Sequence, residues 1–151
     1  MRIVAVLLAF VATATPAAAG EGPPPELLFQ QFGLFGTWAD DCGAPASPAN
    51  PHVKISQPAP GVILEDDDLG PDNTINRYSV LSAERLSDTR LSVVVLFHPG
   101  TENQERQHLV FAIRDHTRRT VFNKVEGGPV RVKDGIALWN GSKTPLLHKC
   151  K

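Results

Sequence analysis

The sequence predicts an all-β protein, an antiparallel meander that closes into a small up-and-down barrel with a short N-terminal helix. Three observations carry this expectation. Eight to ten short apolar segments follow one another with Pro-Gly, Gly-Gly, Asp-Gly and Asn-Gly turns between them. No segment sustains a long helical period. The only two cysteines, Cys42 and Cys150, stand near the two ends of the candidate domain, and a bond between them lays the first strand beside the last.

Residues 1–19 read as a secretory signal. Met1-Arg2 is positive, Ile3 to Val11 is apolar, and Ala17-Ala18-Ala19 offers a small-residue cleavage site. An apolar run of nine residues is too short to cross a bilayer as a helix, and no later stretch is long enough. The chain from Gly20 onward is therefore expected in the periplasm or outside the cell, with no membrane span. It suffices for one domain, residues 26–151, but not for two. In an oxidising compartment an even pair of cysteines defaults to a disulfide.

Residues 20–25 form a Gly/Pro linker. Pro23-Pro24-Pro25 can start a helix over Glu26 to Phe32 that Gly33 halts. Leu28 and Phe32 share one face of it, and so short a helix must dock, most naturally as a cap over one barrel end. Leu34 to Cys42 opens the first strand and holds Trp38. Residues 43–51 carry three prolines and no bulky apolar side chain, so they form a loop. His52 to Ser56 is a short strand, Pro58 to Gly61 a turn, Val62 to Glu65 a strand, and Asp66 to Asn73 an acidic loop.

Ile75 to Leu81 follows, and Leu91 to His98 is the clearest strand, apolar on both faces. Pro99-Gly100 turns it. Gln107 to Ile113 returns with Leu109, Phe111 and Ile113 on one face. Asp115 to Thr117 is a turn, Thr120 to Val125 a strand, and Val130 to Lys133 another beyond Gly127-Gly128. Asp134-Gly135 and Asn140-Gly141 are hairpin signals around Ile136 to Trp139. Leu146 to Cys150 is the last strand.

Composition excludes several functions. The formal net charge is −1, so there is no basic field for nucleic acid. Charge is uneven, however: eleven acidic against four basic residues from Gly20 to Gly100, then five against ten to the end. Such halves are expected to attract one another across the fold. Arg114, Arg118, Arg119 and Lys124 make a basic cluster near one turn, either a patch for an anion or partner or a charged edge that resists aggregation. The acidic run 65–73 could offer several oxygens to calcium. It lacks the closing glutamate of an EF-hand, so a solvated loop is the plainer expectation.

His52, His98, His108, His116 and His148 are scattered, without the converging spacing of a zinc site. Neither a metal nor a cofactor is expected. Ser92 and His98 share one strand face with no third group to orient them, and no G-x-S-x-G is present. An enzyme is not expected.

Gly36-Thr37-Trp38, just after the short apolar helix, resembles the G-x-W signature of the lipocalin-like barrels, the calycins. The resemblance implies that Gly36 and Trp38 belong to the core at the closed barrel end, under the helix. It implies a central cavity for a small apolar ligand, and a late arginine stacked on the tryptophan, a role Arg131 would fill. The same motif followed by Cys42 also resembles the small periplasmic inhibitors of secreted metalloproteases, compact barrels with one disulfide. The expectation is thus an exported, monomeric, non-enzymatic binding protein that carries a small apolar ligand in its barrel. The alternative is a protein-binding inhibitor of a secreted hydrolase. A carrier needs an open cavity, whereas an inhibitor can have a filled core.

Overall fold

The computed structural model describes residues 22–151, and the signal segment expected over 1–19 lies outside the described residues. Helix α1 spans Pro25–Gln31, with proline in its first turn, where the missing N–H costs nothing. Ten strands follow: β1 Gly36–Ala39, β2 His52–Ala59, β3 Val62–Asp68, β4 Asn76–Ser87, β5 Arg90–Phe97, β6 Glu105–Arg114, β7 Thr117–Val125, β8 Val130–Lys133, β9 Ile136–Ala137 and β10 Leu147–Lys149. Strands β1 to β7 pair in sequence order. β10 then lies between β7 and β1, antiparallel to both, so eight strands close a ring. β8 and β9 form a flap paired to the far half of β7.

Turn chemistry explains the short connections. Arg114 and Thr117 are paired across Asp115 and His116, both in left-handed conformation (φ 48° and 61°), as a two-residue hairpin of primed type requires. Asp134-Gly135 does the same between β8 and β9, at φ 52° and 74°. Several strands run further than the sequence suggests, β4 by the most. β2 continues through Pro58 to Ala59, and its ladder with β3 becomes irregular between Ser56 and Ala59, where proline offers no donor. β4 continues past Leu81 to Ser87, as one arm of a long hairpin with β5. Its last residues are mostly exposed and lack an apolar alternation, which hid them in the sequence.

Closure of the barrel is covalent as well as hydrogen-bonded. Cys42 and Cys150 are joined by a disulfide with their Cα atoms 5.5 Å apart. Beside it, Trp38 pairs with Lys149, and the Cys150 N–H donates to the Thr37 carbonyl at 2.8 Å. Asn50 ties down the proline loop by accepting from Asp41 N–H and donating to the Asp41 carbonyl, both at 2.9 Å.

One contiguous core runs from the helix into the barrel: Leu28, Phe29, Leu34 and Trp38 at one end, then Ile55, Ile63, Leu91, Val93, Phe111 and Ile113. Trp38 is 1% exposed, and its indole N–H donates to the Leu34 carbonyl at 2.7 Å. Gly36 has φ +123°, a conformation L side chains rarely adopt, and an added Cβ would lie 3.3 Å from the Lys149 side chain. Lys149 reaches over Trp38 and donates to the Gly33 carbonyl at 2.7 Å, fastening the helix end to the last strand. Trp38→Phe should therefore cost about 1–3 kcal/mol, because it leaves the buried Leu34 carbonyl unpaired. Thermal melts of the two proteins check this; equal melting temperatures would mean the indole N–H contributes nothing.

Candidate ligand-binding site

The acidic run after Val62 lies largely within a strand, and strand alternation sorts it. Ile63 and Glu65 are buried, and Asp67 faces inward on the same side, while Asp66 and Asp68 face outward. Outside, Asp66 holds Arg77 of β4 in a two-point ion pair, at 2.7 and 2.8 Å. Inside, Glu65 meets Arg118 of β7. The Arg118 guanidinium donates twice to the carboxylate, at 2.9 and 2.6 Å, and both side chains are buried. It also lies over Phe111, 4.6 Å from the ring centroid, and over Trp38 at 6.0 Å. Burial opposes its charge, but Glu65 more than compensates, so its pKa is raised.

A second polar chain descends from the rim. Arg131 of β8 donates to Glu105 at 2.8 Å, Gln107 donates its amide to Glu105 at 2.9 Å, and Asn123 donates its amide to Gln107 at 3.0 Å. A carboxylate only accepts, so each amide is oriented by the one before it. The Asn123 carbonyl oxygen is left at the inner end. Arg131 holds the Glu105 pKa below its usual value, chiefly through its hydrogen bond.

The two systems meet at a chamber of about 170 Å³. Its polar lining includes Glu65, Asp67, Tyr78, Arg118, Arg119 and Asn123, with Val53, Leu109 and Leu147 among the apolar walls. It lies where β7 changes partner, from β10 at Thr117–Arg118 to β8 at Phe122–Lys124. Between those pairings Thr144 donates to the Thr120 carbonyl at 2.7 Å, and Gly135 N–H to that of Val121 at 3.0 Å. Three buried side-chain atoms have no hydrogen-bond partner among the described residues: Asp67 Oδ1, Arg119 Nε and Asn123 Oδ1. All three belong to residues lining this chamber.

Asp67 forms no ion pair among the described residues, and both terminal nitrogens of Arg118 serve Glu65. Burial, then the Glu65 charge, push its pKa from 3.8 up to about 8, against the smaller opposing pull of Arg118. Burial likewise raises Tyr78, with Asp67 and Glu65 adding to it. The raised Asp67 value means the folded protein holds a proton there that the unfolded chain releases. Its contribution to stability is full below about pH 4 and is lost as pH rises through about 8. Asp67→Asn should accordingly gain melting temperature over the wild type by an amount that grows from pH 5 to pH 8.5. A difference constant across that range would place the Asp67 titration elsewhere.

The basic cluster does not assemble as one patch. Arg118 lies inside the barrel, 3% exposed, while Arg114 and Lys124 lie exposed on the outside, the register shift at Val121 having turned β7 over between Arg118 and Lys124. Arg119 packs toward the flap, where a Cβ at Gly135 would lie 3.5 Å from its Cδ. The residue over Trp38 is Arg118, and Arg131 instead serves Glu105. Among the described residues no group of His, Cys, Asp or Glu is arranged to hold a metal ion. Ser92 does find a histidine, but on the neighbouring strand: Ser92 Oγ and His108 Nε2 are 2.7 Å apart. His108 is otherwise packed edge-on against Phe122, and no carboxylate hydrogen-bonds it among the described residues. His98 is instead bonded to Asn76 and stacked on Phe97.

Of Glu65, Asp67, Gln107 and Asn123, the first two enter the sequence reading only within the acidic run 65–73, expected as a solvated loop with calcium as the alternative, and the other two not at all. The signal for the first two was present: counting by twos from Ile63 along Glu65 and Asp67 puts both carboxyls on the core face. No described helix is long and apolar enough to cross a membrane. No family model, curated protein or solved structure matches the chain.

Proposed function

We propose that this chain is an exported, non-enzymatic binding protein whose ligand occupies the polar chamber at the β7 changeover. The observation that carries the reading is that three residues, each with an unpartnered buried polar atom, line one cavity. Leaving a buried polar atom unsatisfied costs about 1–3 kcal/mol, so a complementary occupant recovers a large part of three such costs. The same fact sets the ligand's polarity. An apolar occupant would leave all three unpaired, so the reading favours a polar ligand over the apolar one expected from the barrel resemblance. Size is set by the volume. At about 170 Å³ the chamber is below the usual 300–1,000 Å³ of drug-sized sites and near the ~150 Å³ that accepts benzene.

Export is supported by the disulfide, which persists in oxidising compartments. Native mass spectrometry of protein taken from the exported fraction tests the reading. The expected result is a small retained adduct that is lost on unfolding and missing from Asn123→Leu. An adduct kept in full by that variant would remove the chamber as the site.

A second reading, a protein-binding inhibitor, is favoured by one specific observation. Trp139 is 71% exposed and Leu138 53% exposed on the turn after β9. Tryptophan is enriched in binding hot spots, so Trp139→Ala should abolish capture of a secreted hydrolase if docking there is the function.

A further inference from the structure

We propose that the chamber takes a small primary amine bearing a neighbouring hydroxyl or carbonyl, the ammonium lying between Asp67 and Asn123 and the oxygen facing Arg119. The inference rests on the chamber being the ligand site. It follows from counting charges and hydrogen-bonding directions around one cavity.

The chamber lining carries two carboxyl groups, Glu65 and Asp67, and two guanidiniums, Arg118 and Arg119, and Arg118 gives one donor to each Glu65 oxygen. The groups around Asp67 supply it no paired cation. On β3 itself, Glu65 and Asp66 add negative charge. On β2, the residue opposite Asp67 is the uncharged Val53. On β4, Tyr78 has its pKa raised, so its hydroxyl stays neutral. On β7, Arg118 is committed, and on β10 the wall is Leu147. Arg119 lines the chamber but packs toward the flap and forms no ion pair with Asp67 among the described residues. Asp67 itself is left without a paired cation. Burial keeps a proton on Asp67 instead, its pKa pushed up to about 8.

Donor and acceptor directions narrow the class further. The relay from Glu105 leaves Asn123 presenting its carbonyl oxygen, and Asp67 Oδ1 is likewise free. Both ask for a donor. An ammonium group offers three donors and no acceptor, and it places its charge where the proton now sits. Arg119 Nε asks for an acceptor, which the neighbouring oxygen supplies. A neutral alcohol can donate but leaves Asp67 without a counter-charge, and an anion meets both carboxyl groups. Near neutral pH the exchange balances as one ammonium bound and one Asp67 proton released to solvent.

Calorimetric titration of the disulfide-intact mature protein with ethanolamine, ethylene glycol and glycolate, in two buffers of different ionisation enthalpy, tests this. Ethanolamine should bind saturably and release close to one proton per molecule at pH 7. It should bind about tenfold or more tighter than ethylene glycol, the gain from a charge-assisted contact, while glycolate does not bind. Its affinity should climb from pH 6 and level off above the Asp67 titration. Asp67→Asn should fold, and should lose both the proton release and the preference over the glycol. Equal binding of the glycol without proton release would overturn the amine class and leave the chamber reading standing. So would failure of all three probes while native mass spectrometry still shows an adduct that Asn123→Leu loses. If no probe binds and no adduct is found, both readings fall and ordered water fills the chamber.

Discussion

Replacing Cys42 and Cys150 together with Ser should lower the stability of the folded chain by about 4–5 kcal/mol, close to half of what a domain of ordinary stability possesses. The bond joins residues 108 apart in sequence. On the chain-entropy account, freeing a loop of that length returns a large conformational entropy to the unfolded ensemble. The folded state should change little. The β1–β10 and β10–β7 ladders still close the ring, and the charged groups of the chamber come from β3 and β7. Denaturant titrations of the two proteins should show the midpoint moved sharply downward with the native spectrum intact. A shift worth less than about 1 kcal/mol would mean that the unfolded chain is already held compact without the bond.

The fold was legible because its signals are local. Two-residue turn motifs such as Asp134-Gly135 announce hairpins, and Leu109, Phe111 and Ile113 alternate as a half-buried strand must. The pairing of the terminal strands followed from having only two cysteines in a chain read as exported. The strands of the flap were visible too, β8 to the residue, but not that the ring closes past them through β10.

The candidate site was hardest to see, for a physical reason. Sequence reasoning assigns charged runs to solvent, and Glu65-Asp66-Asp67-Asp68 looks like a loop on that rule. Its first residue is buried only because Arg118 arrives from 53 positions away to pair with it. Arg118 in turn was grouped with Arg114, Arg119 and Lys124 by proximity along the chain, whereas the strand period separates it from its neighbours. A partner so distant leaves no local trace. Only the alternation through Ile63, Glu65 and Asp67 could have hinted that the acidic run enters the barrel.

Arg118→Met should destabilise the protein by about 3–5 kcal/mol, the usual result of leaving one half of a buried ion pair unpaired. The geometry is of the strong kind, with two parallel donors at 2.9 and 2.6 Å and both side chains buried. Removing the guanidinium leaves Glu65 facing Asp67 with no cation between them. Because Arg118 now lowers the Asp67 pKa, its loss should push that value above about 8 and bring a proton into the pair. The double replacement Glu65→Leu with Arg118→Met should recover most of the loss, since burying two charges costs about what their attraction returns. A double-mutant cycle measured by denaturation separates the contact from its desolvation. Should the single Arg118→Met change cost under about 1 kcal/mol, water must reach Glu65, and the low-dielectric setting that raises Asp67 would go with it.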